Sequence, residues 1–248
     1  MKLSVALFFA GLFGALATVF ILLSFGTDYW LLASESCPPN LTGSLGPDGK
    51  AVEHGDATLH GVAVGELYHE GFFWKCSVKD VVDDDENLLL KFWFTNQPQP
   101  KFCVPAYLFP FPVSDQTHNA TQYNNAIIYR GFWSVFMLIG VAAVVLGGFI
   151  IICAAPFASH HLYKVGGGFF LTSGFFLLCV VVMYVLWLQV LDVLDVYVDQ
   201  KRSSECPDFR LSVTYGLSFM FAPVGIFFCL IAGILFLFIG RTVQIHYH

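Results

Sequence analysis

Four stretches of this chain run without a single Lys, Arg, Asp or Glu: Leu3 to Phe25, Phe132 to Cys153, Gly168 to Val190 and Val213 to Ile239. Each meets the roughly 20 apolar residues that a helix needs to cross the hydrocarbon of a bilayer. A helix pairs all its backbone polar groups internally, as lipid demands, so the pattern predicts four membrane-spanning helices. They leave a long first loop (26–131), a short second one (154–164), a third (191–212) and a tail (240–248). Inside the first loop the period changes. Phe72 to Val78 and Leu88 to Thr95 are aromatic and branched, and they bracket Asp83-Asp84-Asp85-Glu86-Asn87, which predicts two strands around a charged turn. The sheet is expected over about 71–105. Cys37 to Glu66 is rich in Gly, Pro, Ser and Asp and reads as a flexible excursion. Pro98, Pro100, Pro105, Pro110 and Pro112 break regular pairing and set Tyr107, Phe109 and Phe111 in an extended strip. Those aromatics either cover the sheet where it meets the helix tops or lie on a partner or the membrane surface.

Composition fits that reading: 56% of the 248 residues are hydrophobic and 12% charged, with a mean hydropathy of +0.68. Charge then orients the spans. The two termini and the short loop share one side and carry only Lys2, Lys164 and Arg241, whereas all 18 acidic residues fall in the other two loops. By the positive-inside rule both termini are expected in the cytoplasm and both long loops outside. Leu3 to Phe25 could serve as a cleaved signal with Ala15-Leu16-Ala17 as its site, but its full membrane length favours a retained span. Ala10 with Gly14, and Gly11 with Ala15, form small-residue stripes suited to packing within the bundle or to lateral self-association. Asp28, Tyr29 and Trp30 at the exit of the first span, and Tyr129, Arg130 and Trp133 at the entry to the second, read as boundary anchors, with an Asp28–Arg130 ion pair expected.

Cysteine usage agrees with the topology. Cys37, Cys76, Cys103 and Cys206 lie in the outer loops, where disulfides persist, and Cys153, Cys179 and Cys229 lie in or beside spans. Four outer cysteines allow three pairings; Cys76 with Cys103 and Cys37 with Cys206 is the preferred one. Asn40-Leu41-Thr42 and Asn119-Ala120-Thr121 are glycan acceptor sequons in the first outer loop. Cys153, at the inner membrane edge, is a palmitoylation candidate as well as a plain buried thiol. Pro156 is expected to end the second helix, Gly166-Gly167-Gly168 to give the third a tight start, and Pro223 to kink the fourth. Asp192, Asp195 and Asp199 share one helical face above the third span, where a solvated face is the simplest account.

The chain carries no phosphate-cradling glycine loop and no His-Glu pair at metalloprotease spacing. His160-His161 and the tail residues His246 and His248 lack metal-site spacing, and Asp83 to Glu86 lacks the alternation and glycine of a calcium loop. No metal, cofactor, nucleic acid or small-molecule substrate is expected, nor an active site. The spans offer only Gln189 near an outer end as a strongly polar group, which argues against a permeation path through the helices.

Trp30, Gly71-Phe72-Phe73-Trp74-Lys75-Cys76, Cys103 and Arg130, set between the first two spans, resemble the signature of the claudin, peripheral myelin protein and epithelial membrane protein superfamily. Phe25 to Ala33, Lys91 to Pro98, Ile128 to Trp133 and Ile151 to His160 are similar, within it, to the transmembrane protein 182 family, with Gly43 to Gly65 standing out as an insertion. The resemblance implies a claudin-like, mainly α four-helix membrane bundle carrying a disulfide-stapled extracellular β-sheet, at the plasma membrane of muscle and fat cells. It also implies a non-enzymatic regulator that restrains myoblast differentiation and fusion through β1 integrin. Trp30, Gly71, Phe72, Phe73, Trp74 and Arg130 are then the signature and candidate partner-binding residues. Superfamily relatives also form junction barriers or paracellular pores and act as auxiliary subunits of ion channels. Against a junctional role, the tail Gln244-Ile245-His246-Tyr247-His248 lacks the terminal apolar residue a PDZ scaffold captures.

Overall fold

The computed structural model describes residues 3–37, 64–81, 101–106, 111, 120–157, 159–189, 193–204 and 206–247. Four helices are long and apolar enough to cross a membrane: α1 (Leu3–Gly26), α2 (Ala120–Phe157), α3 (His160–Gln189) and α5 (Leu217–Tyr247). The protein is a multi-pass membrane protein. A shorter helix, α4 (Val193–Ser204), lies beyond the end of α3. The long helices are apolar all round, as lipid requires. Phe8, Phe149 and Phe238 face outward, while Phe170 and Phe236 are buried between helices.

With little hydrophobic drive between helices in lipid, close packing at small residues does the work. The glycine run expected to open the third helix lies inside α3 and serves this purpose instead. A Cβ on Gly167 would come within 2.9 Å of the Gly233 carbonyl oxygen on α5. Midway along the bundle the Ser173 hydroxyl donates to the Gly140 carbonyl at 2.7 Å, joining α3 to α2. On α1, Ala10 and Gly14 are buried, and Gly14 with Gly11 and Ala15 lines an apolar groove of about 550 Å³ between α1 and α2. Pro156 sits inside α2, which continues to Phe157; a proline in the last turn removes only one amide bond and need not stop the helix.

One end of the bundle carries a five-stranded antiparallel sheet of β1 (Leu31–Cys37), β2 (Val64–Glu70), β3 (Trp74–Val81), β4 (Phe102–Pro105) and β5 (Arg210–Tyr215), in the order β4-β3-β2-β1-β5. At Trp74 to Ser77, β3 has β2 on one side and β4 on the other; the second strand of the expected hairpin, Leu88 to Thr95, lies outside the described residues. Part of the expected flexible excursion, at Cys37 and Val64 to Glu66, is strand, and Val213 to Tyr215 belong to β5 rather than to the last span. That span begins at Leu217, where the Gly216 bend takes the chain from sheet to helix.

Cys76 and Cys103 are register partners across β3 and β4, with Cα atoms 4.1 Å apart, and form a disulfide. A second disulfide joins Cys37 at the end of β1 to Cys206 beyond α4, across a sequence separation of 169. Its surroundings are apolar: Tyr197, Phe209 and Leu211 pack around it. On the loop-entropy account the Cys76–Cys103 closure contributes about 3–4 kcal/mol, enough to matter for a sheet this small.

Gly216 donates its N–H to the Trp30 carbonyl at 3.0 Å, and a Cβ there would lie 2.0 Å from the Tyr29 carbonyl oxygen. Gly216→Ala is therefore expected to destabilise the fold by about 1–3 kcal/mol through overpacking. Gly168→Ala, where a Cβ meets nothing within 4 Å, serves as the control. Thermal melting in detergent that leaves the two variants level would refute the assignment.

Candidate functional site

The sheet stands on the bundle through a knot of aromatic and charged side chains at the ends of α1 and α2. Trp30, between the end of α1 at Gly26 and the start of β1 at Leu31, is 1% exposed. Its indole N–H donates to the Ser24 carbonyl at 2.8 Å, and its ring meets Trp133, Tyr184 and Phe219 edge-on, with centroids 5.1, 5.1 and 5.7 Å away. A tryptophan at that depth is a peg, joining three helices by shape.

Arg130 on α2 enters the knot from the other side. Its Nη1 donates to Glu70 Oε1 at 2.7 Å, while Nη2 donates to the Gly71 carbonyl and, at 3.3 Å, to that of Phe72. The guanidinium carbon lies 4.5 Å from the Trp133 ring centre. The other Glu70 oxygen accepts from the Phe111 amide at 2.9 Å. Both partners of the ion pair are buried. Burial pushes the Glu70 carboxyl above its ordinary value, against the pull of the Arg130 and Lys75 charges and the Phe111 amide. Arg130 thus pairs with Glu70 rather than with Asp28 as expected. Nothing in the local sequence marks Glu70; only the register, which sets it at the end of β2 beside Gly71, brings it to the guanidinium.

Asp28 holds the same turn from the α1 side. Its Oδ1 accepts from the amides of Phe73 and Trp74 at 3.2 and 3.3 Å, and its backbone carbonyl accepts from His69 Nδ1 at 2.8 Å. Gly71 is required here because a Cβ would lie 2.1 Å from the Asp28 Cα. Burial lowers the His69 imidazole below its ordinary value, partly offset by its bond to Asp28, and the ring stacks on Tyr29 at 4.5 Å.

The six signature residues therefore divide. Trp30, Gly71 and Arg130 are buried and unavailable to a partner, and Phe72 is wedged against Phe25 and Trp133 at 4.8 and 5.5 Å. Only Phe73 and Trp74, 45% and 48% exposed, present apolar surface, joined by Phe102 at 70% on β4. Two further acids escaped sequence reasoning beside Glu70: Glu35 is buried on β1, accepting from the Tyr197 hydroxyl at 2.6 Å, and Glu66 faces it across the β1–β2 pair. Burial raises the Glu35 carboxyl, opposed by the Tyr197 bond. Asp195 and Asp199 lie exposed on α4, with Asp199 4.0 Å from Arg202; Asp192 is outside the described residues. Cys153 is a free thiol, partly buried near the end of α2. The sequons at Asn40 and Asn119, Tyr107, Phe109 and the Asp83–Glu86 turn lie outside the described residues. Among the described residues no three His, Cys, Asp or Glu side chains cluster as metal ligands.

The chain is similar in sequence to known proteins. A family model described as PMP-22/EMP/MP20/Claudin tight junction matches residues 15–238. Similar curated proteins include Transmembrane protein 182 of Danio rerio, 59% identical over 100% of both chains. The chain is also similar to Transmembrane protein 182 of Xenopus tropicalis, at 48% over 99% of each, and of Homo sapiens, at 47% over 100% of each.

Removing one partner of a buried ion pair costs about 3–5 kcal/mol because the other charge is stranded. Arg130→Met should accordingly abolish folded, monodisperse protein. Adding Glu70→Leu should recover part of it, the shortfall reflecting the Gly71 and Phe72 carbonyls left without a donor and the Phe111 amide left without an acceptor; equal yields from single and double variants would refute the pair's role. For His69, a lowered folded value means the unfolded chain binds the proton more readily. Its contribution to stability is full above the ordinary imidazole value near 6.5 and is lost as pH falls through the lower folded value. The raised carboxyls of Glu35 and Glu70 tilt the other way, so the readout is the difference between the wild type and His69→Gln. Melting curves from pH 7.5 to 5 should show the steeper acid loss only in the wild type.

Proposed function

The chain belongs to the PMP-22/EMP/MP20/claudin family, and on that premise we propose that it is a non-enzymatic plasma-membrane protein that engages an adhesion receptor laterally through its sheet. The sheet end is extracellular and both termini are cytoplasmic, a reading supported by Lys2, Lys164 and Arg241 being the only charges at the opposite end. Asn40 and Asn119 carry glycans on the sheet side.

The observation that carries the proposal is the apolar patch of Phe73, Trp74 and Phe102. These side chains stay exposed although the adjoining turn is fixed by Asp28 and Arg130, so their exposure is built in rather than the result of a loose loop. Large aromatics held rigidly at a surface are what binding hot spots are made of. The receptor proposed is β1 integrin, on the resemblance to the transmembrane protein 182 family, and the outcome of engagement is restraint of myoblast differentiation and fusion.

The test is crosslinking mass spectrometry on myoblasts expressing the wild type and a Phe73→Ser, Trp74→Ser variant. Because neither side chain is buried, the variant should reach the surface with both disulfides intact. Loss of integrin crosslinks from the variant alone, with earlier fusion, is the expected result. If integrin crosslinks persist unchanged, the patch is not the contact. Crosslinks between copies on apposed cells, without integrin, would replace the receptor reading with a junctional one.

A further inference from the structure

Where α2, α3 and the sheet meet, Glu70, Arg130, Trp133 and Tyr184 line a small cavity of about 20 Å³. Tyr129 and Trp187, stacked 5.0 Å apart, contribute further wall. A space of that size admits one water molecule and nothing larger. Two N–H donors on its lining side chains have no acceptor among the described residues: Arg130 Nε and Trp133 Nε1. They belong to residues only 8% and 2% exposed. The rest of the guanidinium is committed to Glu70, Gly71 and Phe72.

We propose that this cavity is a binding site for a single long-lived water molecule, which accepts from Arg130 Nε and Trp133 Nε1 and donates to the Glu70 carboxylate and the Tyr184 hydroxyl oxygen. The chemistry selects water on three grounds. Two unpartnered donors on lining side chains call for a ligand with two lone pairs, and the carboxylate and phenol offer oxygens to a ligand with two protons. The Arg130 charge is already balanced by Glu70 at 2.7 Å, so the site does not call for an anion. A lipid ester oxygen could only accept, and the atoms attached to it exceed the space. Held there, the water ties the sheet through Glu70 to α2 through Arg130 and Trp133 and to α3 through Tyr184, satisfying donors at a depth where unpaired ones are costly.

The experiment uses the full chain in lipid nanodiscs with 15N-labelled tryptophan indoles, measuring cross-relaxation of each indole N–H with water and with lipid protons, in protonated and deuterated lipid. Trp133 is assigned by the single resonance lost in Trp133→Phe. Should that variant not fold, Trp74→Phe, Trp93→Phe and Trp187→Phe account for three of the five indole resonances, and of the two that remain Trp30 is identified by cross-peaks of its N–H to Ser24 protons. Trp30, whose N–H donates to Ser24, is the internal dry control. The expected result is a water cross-peak at Trp133 with the sign of a molecule that outlasts protein tumbling, unchanged by lipid deuteration, and none at Trp30. A Trp133 cross-peak to lipid glycerol protons, lost on deuteration, would assign the acceptor to lipid and overturn the proposal. So would cross-peaks to protein protons alone.

Discussion

The guanidinium of Arg130 stands where the apolar span of α2 gives way to the sheet, and an unpaired charge there would be expensive. Its three attachments, to the Glu70 carboxylate and to the Gly71 and Phe72 carbonyls, all belong to the turn that joins β2 to β3. Asp28 grips the next two amides of that turn from the end of α1. One turn is thereby fastened to two helices by groups of opposite charge. Its height above the bundle and its tilt follow from where those helices emerge. The exposed Phe73 and Trp74 inherit a fixed position from the same bonds, so the apolar patch is a by-product of the anchoring.

The strands come from both ends of the chain. β1 to β4 lie between α1 and α2, whereas β5 arrives between α4 and α5 and pairs with β1. The bundle and the sheet are therefore closed by the same segments: the bend at Gly216 that ends β5 also positions Phe219 against Trp30. The Cys37–Cys206 disulfide reinforces this closure at the far end of β1, with Tyr197 and Glu35 making a buried polar contact beside it.

The spans, the paired cysteines and the boundary aromatics were legible in the sequence because each rests on a local signal: an uninterrupted apolar run, four cysteines gathered in the two loops that follow the first and third spans, a tryptophan at an exit. The sheet was legible at β3 and β4, both inside the expected 71–105, through the aromatic run Phe72-Phe73-Trp74 and the Cys76–Cys103 pair. β1 reads Leu-Leu-Ala-Ser-Glu-Ser-Cys, with small and polar residues that no strand scale favours, and becomes a central strand because β2 and β5 cover both its edges. β5 was masked by the apolar run that continues directly into α5. The partner of Arg130 was misread for a related reason. Asp28 is nearer the first span in sequence, but pairing across the sheet, a long-range property, delivers Glu70.

Strand order also imposes a timetable on biosynthesis. β1 emerges first among the strands and β2 to β4 follow from the same loop, yet the neighbour that covers the other edge of β1 is made only after three helices have been threaded. Through that interval β1 lacks its β5 neighbour, and Cys37 is a thiol whose partner Cys206 is still to come. Cys76 and Cys103 face each other in adjacent strands of one loop, so their bond needs nothing made later. A chain stalled before its last helix would leave the ribosome with an open sheet edge and an unpaired Cys37 thiol side by side.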